Sequence, residues 1–244
     1  MAPPMPTNEA AHVAPPPAAA AGGGQQFPRG WNPDVSFRGD PSRLGQITYR
    51  NGSRALPYVA LTFDDGPHGT NTPRLMDILR SRNVKATFYV LGPRVRSQPA
   101  VMSRMVSEGH EVGNHSWTHR NMSRLNDGVV LKEFQDTHQA VIDATGVAPK
   151  TQRPPYGAMT TAQRAMLRER LGYPCIMWDV DPQDWRRPGS SVVSSRILSD
   201  TRNGSIVILH DIHAPSVDAV PAVLDGLISR GFTFVTVSQL LSMG

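Results

Sequence analysis

Two adjacent carboxylates, Asp64 and Asp65, stand directly after the apolar run Tyr58-Val59-Ala60-Leu61-Thr62-Phe63 and directly before the chain-turning pair Gly66-Pro67. This order predicts a buried strand that delivers an acidic pair at its exposed end. Neighbouring residues on extended chain point in opposite directions, so the two are expected to do different work, one binding a metal and the other moving a proton. An isolated Asp-Asp-Gly-Pro is more often a plain Asp-Gly turn. What argues for chemistry is a second feature, His115-Ser116-Trp117-Thr118-His119. A helical turn stacks imidazoles four residues apart on one face, close enough to share an ion. Asp65 as a third ligand would give two nitrogens and one oxygen with positions left open, the pattern of a catalytic rather than a structural zinc site.

Elements that could bring these residues together are readable along the chain. Thr72 as cap and Pro73 as first residue predict a helix carrying Leu75, Ile78 and Leu79. The run Ala86 to Leu91 is a second strand, followed by a helix with Val101, Met102, Met105 and Val106 that ends at Gly109. A short strand around Glu111-Val112 runs into Asn114-His115, and a longer helix with Val130, Phe134, Val141 and Ile142 stops at Gly146. An extended segment then ends at Arg153, a helix spans about Ala162 to Leu171, and a strand Pro174 to Trp178 leads into the loop Asp179 to Gly189. A helix from about Val192 to Leu198, a strand Ser205 to Leu209 ending at His210, a helix with Val220, Val223, Leu224 and Leu227, a strand Phe232 to Val235 and a short helix Ser238 to Leu241 complete the chain.

This alternation predicts parallel strands joined by right-handed crossovers, and no Gly-rich dinucleotide fingerprint follows the first strand. A barrel fits better than an open sheet. Asp64, Asp65, His115, Arg153, Asp181, Asp184 and His210 each follow the carboxyl end of a predicted strand. Parallel strands gather those ends on one face, where barrel enzymes keep their chemistry.

Here the sequence resembles the polysaccharide deacetylases of carbohydrate esterase family 4, the NodB-homology domain. The resemblance covers about Pro57 to Leu241 and rests on five motifs in order: Thr62-Phe63-Asp64-Asp65-Gly66, His115-Ser116-Trp117-Thr118-His119, Arg153-Pro154-Pro155-Tyr156, Asp181-Pro182-Gln183-Asp184-Trp185 and Ile208-Leu209-His210. The last has Ile208 where the family more often has Leu, a conservative change. The resemblance implies an α/β fold, a distorted (β/α) barrel of NodB-homology type with seven parallel strands. It implies Asp64 as general base, His210 as general acid, and Asp65, His115 and His119 as ligands of one divalent metal ion. Zn2+ comes first, with Co2+, Ni2+ and Mn2+ as alternatives, because such a ligand set discriminates weakly. Arg153 is expected to hold Asp64 ionised and oriented, Asp184 to raise the pKa of His210, and Pro155, Tyr156 and Trp185 to contact substrate, with the Tyr156 backbone N–H stabilising an oxyanion.

The implied reaction is removal of N-acetyl groups from N-acetylglucosamine in a polysaccharide, peptidoglycan first and chitin or chitooligosaccharide as the alternative. Glycoside hydrolysis suits the sequence less, since it needs two carboxylates flanking one bond at about 5 Å or more. A non-catalytic glycan-binding protein is the remaining class.

Other residues receive blander readings. His138 falls on the apolar stripe of its helix and reads as a packed side chain. His68 and His213 read as rim residues, His12 lies in the tail, and His110 begins a strand at the end away from the chemistry. Cys175, the single cysteine, sits in an apolar run and reads as a small buried hydrophobe.

The 244 residues suit one large domain, and the formal net charge of +5 comes mostly from scattered Arg, so nucleic-acid binding is not expected. No stretch approaches the roughly 20 apolar residues of a spanning helix. Residues 1–30 form a Pro/Ala/Gly-rich stretch read as a disordered tail or linker, 31–56 a lead-in with a short hairpin or covering strand before Asn51-Gly52, and 57–244 the deacetylase-like domain. A monomer at the cell exterior, periplasm or cell wall is expected, although the tail lacks the basic start and unbroken apolar stretch of a secretory signal.

Overall fold

In the computed structural model the residues described are 46–243. The tail 1–30 and the first part of the lead-in lie outside them. The frame is a set of short parallel strands: β1 (Thr48–Tyr49), β2 (Tyr58–Asp64), β3 (Thr87–Val90), β4 (Glu111–Asn114), β5 (Cys175–Ile176), β6 (Ile206–His210) and β7 (Thr233–Phe234). Between them run α1 (Asn71–Ser81), α2 (Gly92–Ser97), α3 (Pro99–Ser107), α4 (Asp127–Thr145), α5 (Thr161–Leu171), α6 (Ser190–Asp200) and α7 (Ala214–Ser229), with α8 (Val237–Ser242) last.

The central order is β4-β3-β2-β6, all parallel. Single-residue bridges extend it: Gln152 pairs with Asn114 on one side and Cys175 on the other, and Val180 pairs with Val207. The distortion has a specific origin at β2. The carbonyl of Tyr58 accepts from Gly204 while that of Val59 accepts from Val235, so β7 occupies the edge opposite β6, but only at the bottom. From Thr62 upward, β3 takes over that edge.

In the described part of the lead-in the chain forms a covering strand and no hairpin. β1 pairs in parallel with β5, a strand more than a hundred residues away, and Asn51 forms an antiparallel bridge with Ser205. Gly52 does not close a two-strand turn; a β-carbon there would sit 2.6 Å from Leu240 Cγ, so the chain passes close under α8. The expected strand before Arg153 is reduced to the bridges at Gln152, because Pro154 and Pro155 follow at once and supply no N–H to a ladder. The first helix also starts earlier than its sequence signal, at Asn71, with Thr70 as N-cap. Thr72 is instead turned inward, its hydroxyl accepting from the His68 N–H at 2.7 Å and donating to Asp211.

Strand alternation sorts the core into layers. Val59, Leu61 and Phe63 of β2 pack outward against Leu75, Met76 and Leu79 of α1 and Val220, Val223 and Leu224 of α7. Ala60 faces inward with Tyr89, Ile176 and Ile206, and Thr62 and Asp64 follow at the same spacing along the strand. A run that is apolar on both faces is what a strand covered by helices and closed around an interior requires. Local signals fix both ends of α4: the Asn126 side chain accepts from the Val129 N–H to start it, and Gly146, at φ 73°, ends it.

Candidate active site

The top of the barrel collects the strand ends. Asp64 is the last residue of β2 and lies in register with His210, the last residue of β6. Register alone therefore puts a carboxylate and an imidazole side by side, although 145 residues separate Thr62 from its partner carbonyl at Val207.

Asp64 is buried and its Oδ1 accepts from Arg153 Nη1 at 2.6 Å. Arg153 is wholly buried, and its remaining donors reach Thr62 Oγ1 at 2.7 Å and the carbonyls of Ile176 and Met177 at 3.1 Å. Its guanidinium also lies over the Tyr89 ring at 4.2 Å. An always-charged group with its donors spoken for is the arrangement that makes a buried ion pair tolerable.

Asp65 leaves the strand in a left-handed conformation, φ 72°. This overturns the expectation that the two carboxylates point apart: Asp64 Oδ2 and Asp65 Oδ1 both approach His115 Nε2, at 3.7 and 3.4 Å. The bend is possible because glycine follows. A β-carbon at Gly66 would lie 2.5 Å from Asp211 Oδ2, so no larger residue fits there.

His115 and His119 are not on a helical turn. Residues 115–119 form an irregular loop with Ser116 at φ 74° and His119 at φ 56°, and these two left-handed residues fold the loop back on itself. The imidazoles nevertheless converge, ring centroids 5.2 Å apart. His119 Nε2 stands 3.1 Å from Asp65 Oδ1. His115 Nδ1 contacts the Arg153 carbonyl at 2.7 Å, which makes Nδ1 the donor of that bond and leaves Nε2 directed at Asp65.

The ligand atoms of Asp65, His115 and His119 lie within 4.8 Å of one another. Asp65 Oδ1 is buried without a hydrogen-bond partner of good geometry. Burial pushes the Asp65 carboxyl up, but the two imidazoles of His115 and His119 beside it outweigh burial and hold the group far below the usual carboxylate range. An unsatisfied buried carboxylate oxygen facing two imidazole nitrogens is a donor set suited to a divalent cation.

On the other side of Asp64, His210 Nδ1 contacts Asp184 Oδ1 at 2.8 Å. Asp184 Oδ2 accepts from the His210 backbone N–H at 2.8 Å and from Ser216 Oγ at 2.6 Å. Burial alone would lower the His210 pKa; Asp184, with the charges of Asp64 and Asp65 behind it, raises it to about 9. Of the fourth motif, Asp181 only braces its own loop, accepting from the Gln183 N–H.

Pro155 is buried, while Tyr156 and Trp185 are 69% and 49% exposed, so neither aromatic is core. Tyr156 sits in a left-handed conformation, φ 59°, with its ring 4.7 Å from that of His119. Trp185 follows Asp184, with the Arg186 guanidinium 4.7 Å over its ring. The two exposed aromatics thus flank the metal-ligand cluster and the His210 pair respectively. His138 is a packed residue bonded to Tyr173, and His110 accepts from the Ala86 N–H beneath the barrel. His213 lies beside His210 with ring centroids 6.3 Å apart, outside the contacts just described.

Three residues near the site carry no signal in the motifs. Ser216 supports Asp184. Asp211, next to His210, is wholly buried with Oδ1 unpartnered; burial, reinforced by the charges of Asp65 and Asp64, raises its pKa to about 7. Glu133 of α4 grips the loop between the two histidines. Only Glu133 could have been noticed, as a charge on the buried stripe of Val130, Phe134 and Thr137.

A sequence profile described as polysaccharide deacetylase matches residues 51–176, more than half of the chain. The chain belongs to the polysaccharide deacetylase family, carbohydrate esterase family 4. It is 41% identical over 182 residues to the peptidoglycan-N-acetylglucosamine deacetylase PgdA of Listeria monocytogenes, covering 75% of this chain and 38% of that protein. This chain thus matches under two fifths of that relative's length. It is 38% identical over 197 residues to a chitooligosaccharide deacetylase of Bradyrhizobium, covering 75% of this chain and 90% of that one. The crystal structure of the Bc1960 peptidoglycan N-acetylglucosamine deacetylase superposes with a TM-score of 0.78 at 31% identity, covering 82% of this chain and 94% of that one. Polysaccharide deacetylase folds of this kind share the parallel α/β frame described above.

Proposed function

We propose that the protein is a metal-dependent deacetylase that hydrolyses the N-acetyl group of N-acetylglucosamine residues, with peptidoglycan as substrate. The observation that carries the reading is that Asp64 stands between two unlike histidine groups, within 3.7 Å of His115 Nε2 on one side and in register with the His210–Asp184 pair on the other. Asp65, His115 and His119 would hold one divalent cation, Zn2+ first. When bound, that ion supplies Lewis acidity, polarising the acetamide carbonyl and making a water easier to deprotonate.

The chain's own groups then carry the proton traffic. Asp64, fixed through Oδ1 by Arg153, keeps Oδ2 for the attacking water and takes its proton as the oxygen bonds to the acetyl carbon. The backbone N–H of Tyr156 would stabilise the oxyanion that develops, the role the family resemblance gives it. His210 donates a proton to the nitrogen as the C–N bond breaks, so that a neutral amine and acetate leave. Its raised pKa keeps it charged at neutral pH, as an acid must be at the start of that step. Tyr156 and Trp185 form apolar walls for sugar rings. All of these groups come from one chain, so the site needs no second copy.

Peptidoglycan is preferred to chitin because PgdA of Listeria monocytogenes, a deacetylase named for it, shares 41% identity against 38% for the chitooligosaccharide deacetylase, and because a basic protein suits an anionic wall. That reading places the protein at the cell wall, and no described helix is long and apolar enough to cross a membrane. The deciding experiment incubates zinc-loaded protein separately with peptidoglycan and chitooligosaccharides and measures acetate. Acetate from peptidoglycan is expected. Acetate from chitooligosaccharides alone would move the substrate to chitin, and new reducing ends without acetate would replace deacetylation by glycoside hydrolysis.

A further inference from the structure

The loop that carries His119 has no regular structure, yet His119 must meet Asp65 and His115 within a few tenths of an ångström for three ligands to share an ion. Its backbone passes through two left-handed non-glycine residues, a conformation that costs free energy unless its surroundings impose it. Neither ligand supplies that constraint. His115 is fixed from its own strand end, by its contact with the Arg153 carbonyl, while the His119 backbone N–H has only a 3.3 Å bond to Ser116 Oγ.

The constraint comes from α4. Glu133 is buried, although it is a carboxylate on the apolar stripe of the helix. Its Oε2 accepts from the backbone N–H groups of Trp117 at 2.9 Å and Thr118 at 2.7 Å. Its Oε1 accepts from Thr118 Oγ1 at 2.6 Å and Arg120 Nη2 at 2.7 Å. Four donors from residues 117, 118 and 120 thus close on one carboxylate, and they bracket His119 in the chain. The Thr137 hydroxyl, one turn further on, bonds back to the Glu133 carbonyl and leaves the carboxylate to the loop.

We propose that Glu133 is a positioning residue for the metal centre: by gripping the backbone between the two histidines it fixes His119 against Asp65 before any ion arrives. The inference rests on the reading of Asp65, His115 and His119 as metal ligands. Outer groups that orient metal ligands typically contribute 10–100-fold to metal affinity. In E133Q one oxygen is replaced by an NH2 group, which confronts either the two backbone N–H groups or Thr118 and Arg120 with a donor instead of an acceptor.

The test uses the full chain with zinc as probe. Zinc affinity is measured by competition with a chromophoric chelator, and amide hydrogen exchange is measured on the metal-free protein. E133Q should bind zinc about 10–100-fold more weakly than the parent. In the metal-free protein the Trp117 and Thr118 amides should exchange at least tenfold faster, while amides in the middle of α4 and in β2 keep their parental rates. D136N, which removes an exposed Lys132 ion pair from the same helix, should change neither readout. Zinc affinity within twofold of the parent, or acceleration spread evenly over the whole domain, would overturn the proposal.

If E133Q does not fold, T118V and R120A keep Glu133 and remove one donor each. Their combination should still weaken zinc binding several-fold, and unchanged affinity there would also overturn the proposal. Should the parent itself bind no zinc, the metal reading fails, while the exchange comparison on metal-free protein still decides whether Glu133 holds the loop.

Discussion

His115 and His210 sit at neighbouring rims of one barrel, both at strand ends and both within reach of Asp64, yet they are prepared for opposite work. The difference lies in what each Nδ1 meets. At His115 it meets a backbone carbonyl at 2.7 Å, an uncharged acceptor that holds Nδ1 as the donor and turns Nε2 toward Asp65. At His210 it meets the Asp184 carboxylate at 2.8 Å, whose charge favours the doubly protonated ring and raises the pKa to about 9. One neighbour makes a ligand and the other makes an acid. Residue type alone does not distinguish them.

The strongest way to break the comparison is to remove the ligand side. H115A or D65A should lose bound zinc by metal analysis. Turnover should fall at least about a thousandfold, since a bound cation is worth several kcal/mol of charge stabilisation. If either variant kept both its metal and its rate, His115 would not be the ligand its tautomer suggests. Removing the acid side is expected to be milder: H210A should retain its zinc while kcat falls about 10²–10⁴-fold, the usual range for a lost general acid. Loss of zinc in H210A would mean that the two sides are not separate.

D184N sharpens the contrast by converting the neighbour of His210 from a charge to a dipole. Without the carboxylate the His210 pKa should drop to about its ordinary 6.5, because burial is then opposed only by the charges of Asp64 and Asp65. At pH 8 this leaves roughly one ring in thirty charged, so kcat/KM should fall about thirtyfold there and far less at pH 6. The alkaline limb of the parent profile should lie at or below about pH 9, since a bound cation offsets the share contributed by Asp65. The same pair contributes folding stability that is complete below about pH 6.5 and is lost as pH rises through about 9. A D184N profile superimposable on the parent would remove Asp184 from the acid's environment.

How much of this could be read in advance follows the range of each interaction. Strand ends are marked by local sequence, so the barrel and the side of it that holds Asp64, His115, Arg153 and His210 were legible, whereas the carboxylate partners of Arg153 and His210 came only from the resemblance to the family. The backbone turns that aim the ligands were not. Asp65, Ser116 and His119 adopt left-handed conformations that their residue types rarely take, imposed by Gly66 against Asp211 and by Glu133 against residues 117–120. For that reason the helical turn expected at His115–His119 is absent while its consequence, two converging imidazoles, survives. The pairing of β1 with β5 was equally hidden, because two-residue strands carry too little pattern to name a partner.

Ser216 gives the smallest and most discriminating effect. Its hydroxyl donates to Asp184 Oδ2 at 2.6 Å, on the oxygen that also accepts the His210 backbone N–H, while Oδ1 faces the ring. S216A leaves the charge of Asp184 in place and removes one of its bonds in a buried setting, at a cost of about 1 kcal/mol to folding. Two consequences for His210 compete. A carboxylate with fewer donors concentrates more charge on the remaining partner, which would raise the His210 pKa. A loosened carboxylate would hold the ring less firmly, which would lower kcat without moving the limb. The His210 backbone N–H still pins Oδ2, so orientation should survive and the electrostatic effect should prevail. The alkaline limb of S216A should therefore shift upward by a few tenths of a pH unit, with kcat at pH 7 within about threefold of the parent. An unmoved limb with kcat at pH 7 lowered more than about threefold would show that Ser216 sets the geometry of the pair, and that carbonyl and carboxylate neighbours differ less in charge than in how rigidly they are held.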